Sequence, residues 1–133
     1  MEIGIRADRD LIGLRLVSAG YPRDKDASRL WADSACRLRR TDPPGRPGAF
    51  LTDCAAVPGD SGEPLAEAST GHPEVVAMAE GGLGTLADLY TVLPAYRPDR
   101  ASIAVDIRGI YRRIASLVGR DRARFGRPNR ALR

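Results

Sequence analysis

Residues 58 to 64 read PGDSGEP, a serine set between glycines in a stretch built for a tight bend. A serine hydroxyl attacks a carbonyl only when a base takes its proton, most often a histidine held in place by a carboxylate. The single histidine is His72, eleven residues after Ser61. The remaining reactive types are Cys36, Cys54 and Asp53, which with His72 could meet at a metal ion. No CxxC or HxxxH pair fixes two ligands locally, as ordinary zinc sites do. Cys54 could act as a nucleophile with His72 as its base, but the simpler expectation is two free, buried thiols and a helix-capping histidine beside Pro73. No metal and no cofactor is expected.

Gly59-Asp60-Ser61-Gly62 resembles the tetrapeptide around the nucleophilic serine of trypsin-like proteases. The resemblance implies a two-barrel fold with the histidine and the aspartate both preceding the serine. This sequence departs from that pattern. His72 follows Ser61, Glu63 stands where the family has a second glycine, and 60 residues precede Ser61, short of a first barrel and most of a second. The Gly-x-Ser-x-Gly elbow is absent as well. Pro, Gly, Asp and Ser each favour a tight bend, so PGDSG reads as turn chemistry and the chain as non-enzymatic. The carboxylates show no spacing that separates acid–base work from surface charge. GGLG at 81 to 84 lacks the Lys and Ser/Thr of a phosphate loop.

The elements that would carry such residues are bounded by length. At 133 residues the chain is about one domain, able to bury a core without staples. Alanine supplies much of the hydrophobic 43%, which predicts a thin core of Leu, Ile and Val. No run of 18 apolar residues occurs, so no membrane span and no membrane partner is expected. Charges at Glu2, Arg6, Asp8, Arg9 and Asp10 break up any signal-peptide core, and the chain reads as cytoplasmic.

Residues 1–40 read as a strand-and-helix portion. Ile3 and Ile5, then Ile12, Leu14 and Leu16, alternate as a hairpin would, while Asp10 to Gly20 also suits a helix. Asp26 can cap a helix through Leu30, Trp31, Ser34 and Leu38. Residues 41–71 read as a Pro/Gly-rich acidic linker in which only 49–57 could form a short strand. In 72–127 the pattern predicts three helices: HPEVVAMAE closed by Gly81 and Gly82, TLADLYTVL closed by Pro94, and a long one from Ala101 to Val118 closed by Gly119. Residues 128–133 form a basic tail. The fold class expected is α+β, mostly helical, with a C-terminal three-helix module.

Charge follows the same division. Residues 1–96 hold 10 basic and 14 acidic side chains, and residues 97–133 hold 11 arginines and 3 aspartates. A polyanion would feel that asymmetry, and the arginine fork suits phosphate. The order of two short helices, a basic amphipathic helix and GRDRARFG resembles a winged-helix DNA-binding domain over residues 72–127. That resemblance implies a third helix in or across the major groove, with Arg108, Arg112 and Arg113 on its exposed side. It implies a wing carrying Arg120, Arg122 and Arg124, with Arg127 beyond.

The function expected is therefore nucleic-acid binding, chiefly to phosphates. Two alternatives stand beside it. The first is a homodimer or protein-contact module using the Ile103, Ile107, Ile110 and Ile114 face. The second is a little-selected reading frame with no biochemical role, suggested by a basic side that is nearly all arginine, with Lys25 the only lysine.

Overall fold

A computed structural model of the chain describes residues 11–67, 73–85 and 95–125. Its strands are β1 (Leu16–Gly20), β2 (Trp31–Asp33), β3 (Leu38–Thr41), β4 (Ala49–Thr52), β5 (Pro64–Glu67), β6 (Glu74–Gly82) and β7 (Ser102–Asp106). One helix, α1 (Arg108–Phe125), follows β7 directly. All seven strands belong to one curled antiparallel sheet in the order β2-β1-β5-β6-β7-β4-β3.

The curl brings distant strands together. Gly13 N donates to Leu38 O at 2.7 Å, Leu16 N to Cys36 O at 2.9 Å and Leu38 N to Leu14 O at 3.0 Å. Arg15 and Arg37 form an antiparallel bridge on the same line. At that corner β1, β5, β6, β7, β4 and β3 run round a ring, with β2 left outside. The curl makes a half-barrel in which these contacts cover part of the edge of β3. The ring encloses Leu11, Leu16, Leu38, Phe50, Leu65 and Val76, all buried. On β4 every residue is buried, because Leu51 and Ala49 face a second cluster with Ala101 and Ile103.

The mostly helical fold class and the winged-helix resemblance are both overturned. HPEVVAMAE is strand from Glu74 onward, where the Val75-Val76 pair fits a pleated, buried surface better than a helix. Ser102–Asp106 is likewise strand, so the apparent helical run that began at Ala101 is a strand followed by a helix. Ile103 and Ile107 are buried, which takes them out of the supposed four-isoleucine seam. α1 continues through Phe125, where the wing had been placed.

The helix predicted from Asp26 is absent too. Asp26 Oδ1 instead accepts from Ser28 N at 2.9 Å in a tight turn, and Trp31 and Leu38 enter β2 and β3. β1 begins at Leu16, so the hairpin alternative for residues 10–20 holds only in part, and Ile3 and Ile5 lie outside the described residues. TLADLYTVL lies outside them from Leu86 onward. β4 and β5 arise inside the stretch read as linker.

The cysteines are not free thiols. Cys36, just before β3, and Cys54, just after β4, are joined by a disulfide with their Cα atoms 4.6 Å apart. The antiparallel pairing of β3 and β4 puts them side by side, which no spacing rule in the sequence reveals.

Among the described residues, no helix is long and apolar enough to cross a membrane.

Candidate functional site

The loop between β4 and β5 carries Ser61, and it is tied down along its length. Asp53 accepts from the Arg37 amide and from the Arg39 guanidinium, whose Nε lies 2.6 Å away. Cys54 is held by the disulfide, and its carbonyl accepts from Ser102 Oγ at 2.6 Å. Ala55 N donates to Asp33 Oδ2, and the Pro58 carbonyl accepts from Arg23 N. Gly62 N donates to Ala79 O at 2.8 Å, and Glu63 O accepts from Ala79 N, so the turn docks onto β6.

Two glycines make the turn possible. Gly59 has φ +110° and Gly62 has φ +88°, conformations that other residues rarely adopt. A Cβ at Gly59 would also sit 3.0 Å from the backbone of Tyr21 and of Arg23. The Gly residues read in the sequence as turn formers are therefore required by the backbone.

Ser61 itself is exposed, and its hydroxyl donates to the Glu80 carbonyl at 3.0 Å. Among the described residues, the amides of Gly59 and Ser61 donate to no partner. The arrangement is an exposed hydroxyl on a tied-down turn that also carries these two amides.

Behind the turn, Asp60 and Glu63 point inward. Asp60 Oδ2 accepts from Val57 N at 3.0 Å, and Glu63 Oε1 accepts from Ser18 Oγ on β1. Burial pushes the Asp60 carboxyl above the usual carboxylate range, against the Val57 hydrogen bond. Burial raises Glu63 as well, against the Ser18 hydrogen bond and with the charges of Asp60 and Asp33 adding to it. Both line a cleft of about 670 Å³, together with Asp24, Asp33, Arg39 and Tyr96. The Arg39 guanidinium stands 5.5 Å from the centre of the Tyr96 ring, and burial raises the Tyr96 phenol.

The residues expected to contact nucleic acid are dispersed. Arg108 is 3% exposed, its guanidinium bonded to Asp106 at 2.6 and 2.8 Å and set over the Phe50 ring. The Asp106 carboxylate also accepts from the Arg108 amide and so caps the start of α1. Arg108 thus holds the helix to the barrel. Replacing it with alanine is expected to cost about 2 kcal/mol, as a charged hydrogen-bonded pair is broken in a half-buried place. A urea melt would show the midpoint fall with an unchanged slope.

Arg112, Arg113 and Arg120 are exposed on α1. Arg122 and Arg124 fall on the same helix, and Arg127 lies outside the described residues. α1 also presents Ile110, Ile114, Leu117 and Val118 to solvent, 55, 53, 49 and 43% exposed. Of the four isoleucines once grouped together, Ile110 and Ile114 alone share this stripe.

Cys36 and Cys54 are bonded to each other, so the sequence-level idea of a cysteine metal site or a Cys54 nucleophile has no thiol to work with. His72 lies outside the described residues. What sequence reasoning missed is the pairing of Asp60 with Glu63. The signal was Glu63 itself, an acid where the resembled motif has glycine. The chain matches no protein-family model and no curated protein sequence.

Proposed function

We propose that Ser61 is the nucleophile of a serine hydrolase acting on a peptide or ester carbonyl. The observation that carries this is the turn: an exposed Ser61 hydroxyl on a loop whose Gly59 and Ser61 amides have no partner among the described residues, docked on a curled antiparallel sheet. Against the motif stand His72, which follows Ser61, and Glu63 in place of a glycine; the antiparallel sheet found where helices were expected supports it. Glu63, the departing residue, is buried and accepts from Ser18 Oγ on β1.

In this reading Ser61 Oγ attacks the carbonyl carbon while a histidine takes its proton. The negative oxygen that forms is held by the Gly59 and Ser61 amides, which are fixed before the reaction starts. The histidine gives that proton to the departing amine or alcohol, leaving the acyl group on Ser61 Oγ. It then takes a proton from water, whose oxygen attacks the acyl carbon, and returns the proton to Ser61 Oγ as the acid leaves. The reading requires a histidine and a carboxylate to reach Ser61, and the one histidine of the sequence, His72, lies outside the described residues. The disulfide supports work in an oxidising compartment in place of the cytosol expected above.

The test is fluorophosphonate labelling of the protein as its native source makes it, followed by peptide mapping. Label on Ser61 is the expected result. No label on Ser61, in an extract whose other serine hydrolases are labelled, would remove the reading.

A second reading has its own observation, the apolar stripe on α1. It supports self-association through Ile110, Ile114, Leu117 and Val118. Sedimentation equilibrium should then show a dimer that Ile114→Asp with Leu117→Asp converts to monomer while the barrel stays folded. A monomeric parent chain ends this reading.

A further inference from the structure

The two acids that flank Ser61 are buried together. Asp60 is 6% exposed and Glu63 is 8% exposed, their carboxyl groups act on each other, and among the described residues Asp60 Oδ1 has no hydrogen-bond partner. When both are ionised neither can donate to the other. The fold nonetheless makes room for the pair. Gly20 on β1 lies against Glu63, and a Cβ there would run into the carboxyl group.

The charged groups around the pair do not neutralise it. Asp24 adds negative charge beside Asp60, and Asp33 on β2 does so beside Glu63. Four cations line the same cleft: Lys25 with Asp24, Arg39 with Asp53, Arg97 with Asp99, and Arg100, whose charge also acts on Asp99. Two like charges held this close in a buried place cannot both persist, and a shared proton is the usual resolution.

We propose that Asp60 and Glu63 hold one proton between them, and that this proton makes Glu63 a positioning residue for Ser61. Protonated Glu63 donates through one oxygen to Asp60 Oδ1 while its other oxygen accepts from Ser18 Oγ. The backbone closes the same loop, because Glu63 N donates to Asp60 O at 2.9 Å. Residues 60 to 63 are thereby clasped twice, by main chain and by side chain, with Ser61 at the tip. Removing the proton sets two anions against each other directly beneath the nucleophile. The positioning role rests on the reading of Ser61 as nucleophile; the shared proton does not.

An acid whose pKa is raised on folding holds its proton more tightly folded than unfolded. Its stabilisation is fully present below the ordinary carboxylate range, 3.8 for Asp and 4.5 for Glu, and is lost as pH rises through the raised values. This chain should therefore lose stability as pH rises out of that range, the reverse of a protein held by ionised carboxylates.

The experiment is a carboxyl carbon-13 titration of the disulfide-intact chain, with thermal melts from about pH 4 to about pH 9. The parent, Glu63→Gln and Glu63→Ala are compared. One proton of the pair should persist above the ordinary range. Glu63→Gln, whose amide supplies both the acceptor for Ser18 and the donor for Asp60, should flatten the pH profile and melt about 3 °C or more above the parent at high pH. Glu63→Ala should melt below the parent throughout, since Ser18 loses its acceptor.

Two carboxyls titrating in the ordinary range overturn the proposal, and so does a Gln variant with the parent's pH slope. The titration of the parent decides the matter even if a variant fails to fold. In native material, the labelling rate of Glu63→Gln relative to the parent should rise with pH, and a pH-independent ratio removes the positioning role. A shared proton in a chain whose Ser61 is never labelled would sink the hydrolase reading and leave the proton in place.

Discussion

Replacing Ser61 with alanine is expected to lower hydrolysis by about six orders of magnitude, the loss typical when the nucleophile of such a triad is removed. The reason is that no neighbouring group can take over. Among the described residues, the acidic side chains flanking Ser61 in the chain, Asp60 and Glu63, are buried. Residual rate would come from the Gly59 and Ser61 amides, which survive the change because they belong to the backbone. Alanine fits the turn at position 61, since the positive φ angles fall on Gly59 and Gly62. The variant should therefore melt close to the parent, and kcat should fall with little change in KM. Hydrolysis that persists at more than a hundredth of the parent rate would place the chemistry elsewhere.

Loss of the Cys36–Cys54 disulfide is expected to cost about 3 kcal/mol, from the chain-entropy cost of leaving a loop of this size open in the unfolded state. The bridge spans a sequence separation of 18 residues and joins two buried positions, 3 and 4% exposed. Cys36→Ala with Cys54→Ala avoids burying new hydroxyls, so the measured difference reports the bridge and the small cavity left by two sulfurs. Thermal unfolding followed by circular dichroism should show a drop of about 10 °C relative to the oxidised parent. Cys54 also begins the loop that ends at Ser61, with Ser102 holding its carbonyl. Labelling of Ser61 should slow in the double variant at temperatures where both proteins remain folded. An unchanged melting temperature would mean that the strand pairing of β3 and β4 holds this corner unaided.

Several local features were legible without coordinates. The bend at PGDSG was read from residue types alone, and Gly59 and Gly62 do take the positive φ angles that such a bend requires. The alternation of Ile12, Leu14 and Leu16 allowed a strand or a helix, and Leu16 opens β1. The short strand allowed within residues 49–57 is β4, at Ala49–Thr52.

The larger errors share one cause. Ile103, Ile107, Ile110 and Ile114 fall at intervals of three and four, which a helix rewards. Two of them, however, lie in or just after a strand that has barrel neighbours on both sides. Val75 and Val76 were absorbed into a helix because proline and glycine punctuated the segment correctly. Punctuation marks where an element stops, and it is silent on which element it is. The winged-helix resemblance implied an exposed Arg108, but burial follows from Asp106 two residues earlier and from Phe50 across the sheet.

What the sequence by itself determined about this protein is local: where the chain bends, where charge accumulates, and which residue types could react. Those properties depend on the φ preference or the charge of single residues and their near neighbours. Only the tertiary structure decided that the chain is a half-barrel, that Cys36 meets Cys54, and that Asp60 and Glu63 are buried together behind Ser61. Each of these depends on strand register and curl, which bring residues 14 and 38, 36 and 54, or 18 and 63 together across long separations in sequence. Such contacts are set by which strands exclude water best when paired, a property of the whole sheet that no short window of residues contains.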